Sequence, residues 1–327
     1  MNNQNLLEIK NLKTQFHTRR GIVKAVDGVS FSVGVGEVLG IVGESGSGKS
    51  ITCLSILRLL PQPAGRIVEG EILLNGDNLL QKSEKEMRRY RGSRIALIPQ
   101  DPMSSLNPVF TIGDQMATPL RYHLGLSGRQ VSEKVERLLT QVNIPSPKER
   151  YKQYPHQMSG GMRQRILGGI GISCDPVLLI ADEPTTALDV ISQDQFIRLL
   201  KAIQVERRLS MIWVTHDMSV VSKVCDRVAV MYAGRIVETA PVDILFNRPA
   251  HPYTIGLMRS IPELNTGREE LFSIAGQPPD LLNLPPGCQF APRCEDMKPI
   301  CQEKYPPVTM LDDRHSVYCW LKADHDH

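Results

Sequence analysis

Residues Gly43-Glu44-Ser45-Gly46-Ser47-Gly48-Lys49-Ser50 follow the pattern G-x-x-x-x-G-K-[ST]. They come directly after an apolar run, Val38 to Val42, and open the helical pattern SITCLSILRLL. A strand that ends in a glycine-rich turn and feeds a helix has few folds open to it. The glycines let the backbone curl until successive N–H groups face one point. The following helix aims its positive end at the same point. The result is an anion cradle suited to phosphates, with Lys49 able to reach β- and γ-phosphates and the Ser50 hydroxyl able to bind Mg²⁺. A chance glycine-rich turn would have no reason to sit between a strand and a helix.

The surroundings fit an α/β chain. LLEIKNL, GIVKAVDGVSFSV and VLGIVG read as short strands, and a further β-type segment from Ile67 to Leu74 ends in the turn Asn75-Gly76. Residues 80–175 are mainly helical in pattern, with loops at SSLNP and NIPSP. From 177 onward VLLIAD, QFIRLLKAIQ, SMIWVTHD and RVAVMYAGRIVE alternate strand and helix, the pattern of βαβ units around a mainly parallel sheet. After about 255 proline clusters appear and periodicity fades, which predicts a small loop-rich appendage. A length of 327 residues suits roughly two domains. A net charge of +3 is too small for an electrostatic grip on nucleic acid. No apolar stretch approaches the ~20 residues of a membrane span, and the N-terminus lacks a signal pattern. The chain is therefore expected to stay in the compartment where it is made.

Leu178-Leu179-Ile180-Ala181-Asp182-Glu183 is an apolar strand ending in two carboxylates. Alone, such an end is commonly a loop edge. Downstream of a phosphate cradle it reads as a Mg²⁺ ligand, Asp182, followed by a base for the attacking water, Glu183. Ser159-Gly160-Gly161-Met162-Arg163-Gln164-Arg165 reads as a helix N-terminus capped by Ser159, a second anion site. One nucleotide has no obvious need for two such sites so far apart in sequence.

Together these segments resemble the ATP-binding-cassette ATPases over residues 6–260. The resemblance supplies a use for the second site, which in that family acts on the nucleotide of a partner subunit. It also assigns Gln100, in IPQDP, as the glutamine that senses Mg²⁺ and water. Asp189, in TTALD, matches the D-loop, and His216, in VTHD, matches the switch histidine at the γ-phosphate. Alone, His216 would be an ordinary surface or core histidine and Gln100 a loop residue. Phe16 is the candidate for stacking on adenine, or else a core residue of a strand edge. The implied fold is a RecA-like P-loop NTPase lobe with an antiparallel β flap and an inserted helical lobe at about 101–170. Residues 1–260 would form the ATPase domain and 261–327 a C-terminal extension.

Two features depart from the family pattern. Met162 stands where most members have Gln, and the helix after it carries Gly168, Gly169 and Gly171. Each glycine costs about 1 kcal/mol relative to Ala, which suggests another backbone packed close. Modest hydrolysis that needs a partner is the expected consequence.

His251-Pro252-Tyr253-Thr254, QDPMSSLNP and the cysteine-bearing tail resemble one branch, the D-type ATP-binding subunits of oligopeptide/dipeptide importers, nickel relatives included. That resemblance implies a homologous F-type ATPase as heterodimer partner, two transmembrane permeases and an extracytoplasmic substrate-binding protein, with no nucleic acid. It places the chain peripherally on the cytoplasmic face of the membrane. A soluble cassette ATPase of translation or DNA repair is the alternative, as is a redox or metal-sensing module built on the tail.

Of seven cysteines, Cys288, Cys294, Cys301 and Cys319 fall in the last 40 residues, where uniform scatter would put fewer than one. The spacing C-x5-C-x6-C-x17-C is looser than a zinc finger's. Four thiolates suit Zn²⁺ or an iron–sulfur cluster, and the family resemblance implies [4Fe–4S]. Metal-free thiols remain the third reading. Cys53, Cys174 and Cys225 are expected as small buried hydrophobes. His315 and the terminal His325-Asp326-His327 are expected in solvent.

Overall fold

The structure, a computed structural model, describes residues 5–261 and 272–323. The chain divides into two compact units, one of residues 33–37 and 81–214, the other of residues 5–32, 38–80 and 215 onward.

The first unit is built on three parallel strands, Ile95–Ile98, Leu178–Asp182 and Ser210–Thr215, paired Ile95 to Leu178 and Leu178 to Ser210. Every residue of the second and third is buried. A parallel strand covered on both faces needs such an unbroken apolar run. Helices Ile112–Leu124, Gly128–Gln141 and Gly160–Ile172 are the long helices of the region read as helical. Within Gly128–Gln141 the buried residues are Val131, Val135, Leu138 and Leu139, the i, i+4, i+7, i+8 stripe of an amphipathic helix. The expected loop at SSLNP begins as a short helix, Pro102–Ser105, capped by the Asp101 side chain.

The glycines of Gly160–Ile172 answer to side chains rather than to a neighbouring backbone. A Cβ on Gly168 would lie 3.2 Å from the Phe196 ring, and one on Gly169 3.1 Å from Met116. One on Gly171 would lie 3.3 Å from both Ile98 and Leu179. The helix thus gives up propensity so that large side chains can pack onto its axis.

The second unit opens with a four-stranded sheet containing Asn5–Thr18, Gly21–Gly34, Gly65–Leu74 and Asp77–Asn78. Asn5–Thr18 runs antiparallel to Gly65–Leu74, from Leu7 opposite Leu74 to Phe16 opposite Gly65. The register shifts between Lys10 and Lys13, around Asn11 at φ 46°. That bulge moves the buried face from Leu7 and Ile9 to Leu12 and Thr14. It also demands a glycine opposite: a Cβ on Gly70 would lie 2.7 Å from Asn11 O, Leu12 Cα and Lys10 O.

In the same unit, Val38–Val42 pairs in parallel with Arg227–Tyr232, which is antiparallel to Arg235–Pro241. The tail then adds a hairpin, Val308–Asp312 and His315–Tyr318. Its second strand pairs with Arg235–Pro241, Glu238 opposite Val317. The region read as a loop-rich appendage therefore extends a sheet. Ala250, Val317 and Cys319 are buried there as a small core, with Leu321 packed against it.

Candidate active site

In the second unit, the phosphate loop takes its shape from backbone that only glycine tolerates. Gly43 has φ 152° and Gly48 φ 103°, and a Cβ would lie 2.1 Å from Met231 O at the first and 2.3 Å from Ala25 O at the second. Gly48 caps helix Lys49–Leu57 without a side-chain hydrogen bond to its first turn. Lys49 is 4% exposed and its Nζ donates to Gly43 O at 2.8 Å and Glu44 O at 3.0 Å. Ser47 Oγ is buried and has no hydrogen-bond partner among the described residues. A buried hydroxyl left unsatisfied costs about 1–3 kcal/mol. A phosphate oxygen in the cradle would repay that cost, so the residues fit a nucleotide's phosphates. His216 is exposed, directly after strand Ser210–Thr215 and before helix Met218–Val224. Phe16 is half-buried, its ring 2.9 Å from where a Gly65 Cβ would be.

The tail grips this loop. Arg293 donates from Nη1 to Glu44 Oε2 at 2.7 Å and from Nη2 to Glu44 Oε1 at 3.0 Å. The Glu44 N–H donates to Tyr253 Oη at 2.8 Å. The Glu44 carboxylate raises the Arg293 pKa, against the opposing effect of burial.

In the first unit, Asp182 is buried at the end of its strand, 9% exposed. Glu183 follows in left-handed backbone at φ 44°, its N–H donating to Val214 O at 3.0 Å. A non-glycine residue held there stores about 1–3 kcal/mol of strain and is a common device for aiming a functional side chain. Gln100 Nε2 donates to Glu183 Oε2 at 3.1 Å, so two residues separated by 83 positions meet. Thr186 Oγ1 donates to the same oxygen at 3.3 Å. Ser159 caps helix Gly160–Ile172 by accepting from Met162 N at 3.3 Å, and Gly160 has open space where its Cβ would be. Asp189 caps helix Val190–Arg207, and the bonds from Ser192 hold its carboxyl below the usual carboxylate range.

The four tail cysteines line one small cavity with His251, Phe290 and Trp320, and none is disulfide-bonded. Burial pushes Cys288 up to about 11 and raises Cys294 and Cys319, with negative neighbours among the four adding to the shift. These thiols stay protonated unless a cation joins them. Among the described residues, no three His, Cys, Asp or Glu side chains stand together as ligands of a metal ion. The four thiols are donors of the kind a thiolate-bound group needs, but they do not form a ligand cluster. Cys53, Cys174 and Cys225 are buried as expected.

His315 is buried rather than in solvent, at 3% exposure, with Nε2 2.7 Å from Glu238 Oε1. Glu238, fully buried, also accepts from the N–H groups of Ala250 and His251, each at 2.8 Å. His325, Asp326 and His327 lie outside the described residues. Sequence reasoning missed Glu238, His315 and Arg293, because each earns its role from a partner far along the chain. His251-Pro252-Tyr253 was the one available signal: His251 Nδ1 accepts from Tyr253 N, and Tyr253 then reaches the phosphate loop.

Residues 26–186 match the family described as ABC transporter, and residues 237–301 match the oligopeptide/dipeptide transporter C-terminal region. The chain is 48% identical to the dipeptide transport ATP-binding protein DppD of Bacillus subtilis, over 98% of this chain and 97% of that one. It is 49% identical to the oligopeptide transport ATP-binding protein OppD of the same organism, over 97% of this chain and 88% of that one. Among solved structures, a dimeric bacterial ABC transporter cassette matches with a TM-score of 0.65 and 25% identity, covering 72% of this chain and 98% of the cassette. No described helix is long and apolar enough to cross a membrane.

Proposed function

The chain belongs to the ABC transporter ATPases, with the C-terminal region of the oligopeptide/dipeptide transporters, and on that premise we propose that it hydrolyses ATP to energise uptake of di- or oligopeptides. The observation that carries the reading is the buried, partnerless Ser47 Oγ inside a glycine-shaped cradle whose lysine already faces inward. In this reading Lys49 and the loop N–H groups from 43 to 50 bind the β- and γ-phosphates. Ser50, Gln100 and Asp182 hold Mg²⁺, which supplies charge neutralisation on the phosphates. Glu183 polarises the attacking water and His216 supports the γ-phosphate. Phe16 stacks on adenine. Ser159, Gly160 and Gly161, with Asp189, serve the nucleotide of a partner cassette, a homologous F-type subunit. Residues 1–260 act as the ATPase domain, with a helical subdomain at about 101–170, and 261–327 as the extension. A substrate-binding protein outside the membrane delivers cargo, and the chain sits peripherally on the cytoplasmic face.

The tail cysteines Cys288, Cys294, Cys301 and Cys319 are proposed to hold a [4Fe–4S] cluster, a reading supported by the four thiols that line one cavity. The cluster would supply cross-linking of a segment with little core of its own. Anaerobic purification should yield iron and labile sulfide in equal amounts; zinc alone, or no metal, would overturn this assignment.

The function is tested by pulling the tagged chain from detergent-solubilised membranes. Two multi-span proteins and a second cassette ATPase should come with it. Recovery only from the soluble fraction, with ribosomes or DNA, would overturn the transport reading and leave the ATPase standing.

A further inference from the structure

Glu44 places a carboxylate in a loop built for a polyanion. All its hydrogen-bonding groups are engaged: O with Lys49 Nζ, N–H with Tyr253 Oη, and both carboxylate oxygens with Arg293. Arg293 is only 5% exposed at its side chain and stands one residue before Cys294. It is itself fixed by Ala275 O at 2.9 Å from Nε and Tyr232 Oη at 3.2 Å from Nη1. The two-pronged geometry matches a planar guanidinium to a carboxylate, which a lysine would not reproduce. Without that partner, a carboxylate in the phosphate loop would repel the charge the loop takes up.

We propose that Arg293 is a positioning residue of the nucleotide site: its guanidinium neutralises Glu44 and holds the phosphate loop ready for ATP, which makes the C-terminal extension part of that site. This rests on the ATP-binding reading. It is a claim about charge as well as shape, and charge makes the sign of each variant specific. Arg293→Ala exposes the phosphates to an uncompensated Glu44. Glu44→Gln leaves Arg293 as an unspent positive charge. The double variant has neither charge.

Equilibrium titration of the full-length chain with a fluorescent ATP analogue and Mg²⁺ decides it. Arg293→Ala should weaken binding about tenfold, or about 1.4 kcal/mol. Glu44→Gln should tighten it by about threefold, and Glu44→Gln placed on Arg293→Ala should recover most of the loss. Unchanged binding by Arg293→Ala overturns the proposal. So does a double variant as weak as the single one, which is what mere loosening of the tail would give. If Arg293→Ala fails to fold, Arg293→Gln, which keeps N–H donors for the tail carbonyls, is read in the same cycle. A wild-type chain that binds no nucleotide would sink the ATPase reading instead, before any variant is compared.

Discussion

The phosphate loop and the cysteine tail belong to one compact unit and are built by opposite means. The loop is a backbone device. Its glycines at 43 and 48 occupy conformations closed to other residues. The tail, from 272 to 323, has little regular structure beyond a hairpin and short helical turns. Side-chain pairs hold it: Arg293 on Glu44 and His315 on Glu238. The difference teaches that a site written in backbone tolerates change at its flanks, whereas one written in side-chain pairs fails at single positions.

The largest expected effect lies on the chemistry, in the other unit. Glu183→Gln keeps the size and left-handed position of the residue but removes its basicity. Hydrolysis by the assembled transporter should fall by a factor on the order of 10³, with ATP affinity within about threefold of wild type. A variant that still turns over normally would remove Glu183 as the base. Next comes the hub of the tail. Glu238→Ala strands His315 and two backbone N–H groups in a buried site, and should cost about 3 kcal/mol in chemical denaturation. A loss below about 0.5 kcal/mol, the range of an ordinary surface change, would mean the tail is held elsewhere.

A smaller effect comes from pH. Burial holds His251 down to about 3, against about 6.5 in an unfolded chain. Between those values the unfolded state binds a proton that the folded state refuses, so stability is full above pH 6.5 and falls as pH drops. From pH 7 to 5 this group should remove about 2 kcal/mol. His251→Asn, which can keep an acceptor for Tyr253 N, should flatten the dependence of Tm on pH over that interval. An equal slope in both proteins would assign the acid sensitivity to other groups. The smallest effect is expected at Met162, half-exposed in the signature helix. Met162→Gln restores the residue usual in the family and leaves the Ser159 cap and the open Gly160 in place, so ATPase rates of the complex should rise, but by less than about threefold. A larger rise would show that this side chain, rather than the helix terminus, limits turnover.

Much of the chemistry was legible because its requirements are local. A phosphate cradle needs glycine, lysine and a hydroxyl at fixed intervals, and a strand buried on both faces must be apolar throughout, as Leu178–Asp182 is. The Asn75-Gly76 turn was readable for the same reason, both residues having positive φ. Strand Ile95–Ile98 was missed, since four apolar residues inside a helical region carry no period. Glu238 and His315 are 77 positions apart, and Glu44 and Arg293 are 249 apart. Such pairs leave no spacing to read. The glycines of the signature helix were legible as a cost, but the side chains that required them, Phe196, Met116 and Ile98, were not.

The hairpin at the tail has a consequence for synthesis. Strand Arg235–Pro241 finds its second neighbour in His315–Tyr318, almost the last described residues of the chain. As the polypeptide leaves the ribosome, that edge stays open and Glu238 stays without its histidine until residue 315, 77 positions further on, has been added. A prematurely terminated product would carry a complete phosphate loop beside a sheet edge it cannot close. Such a fragment would retain the motif for ATP while exposing an unpaired strand to every other nascent chain.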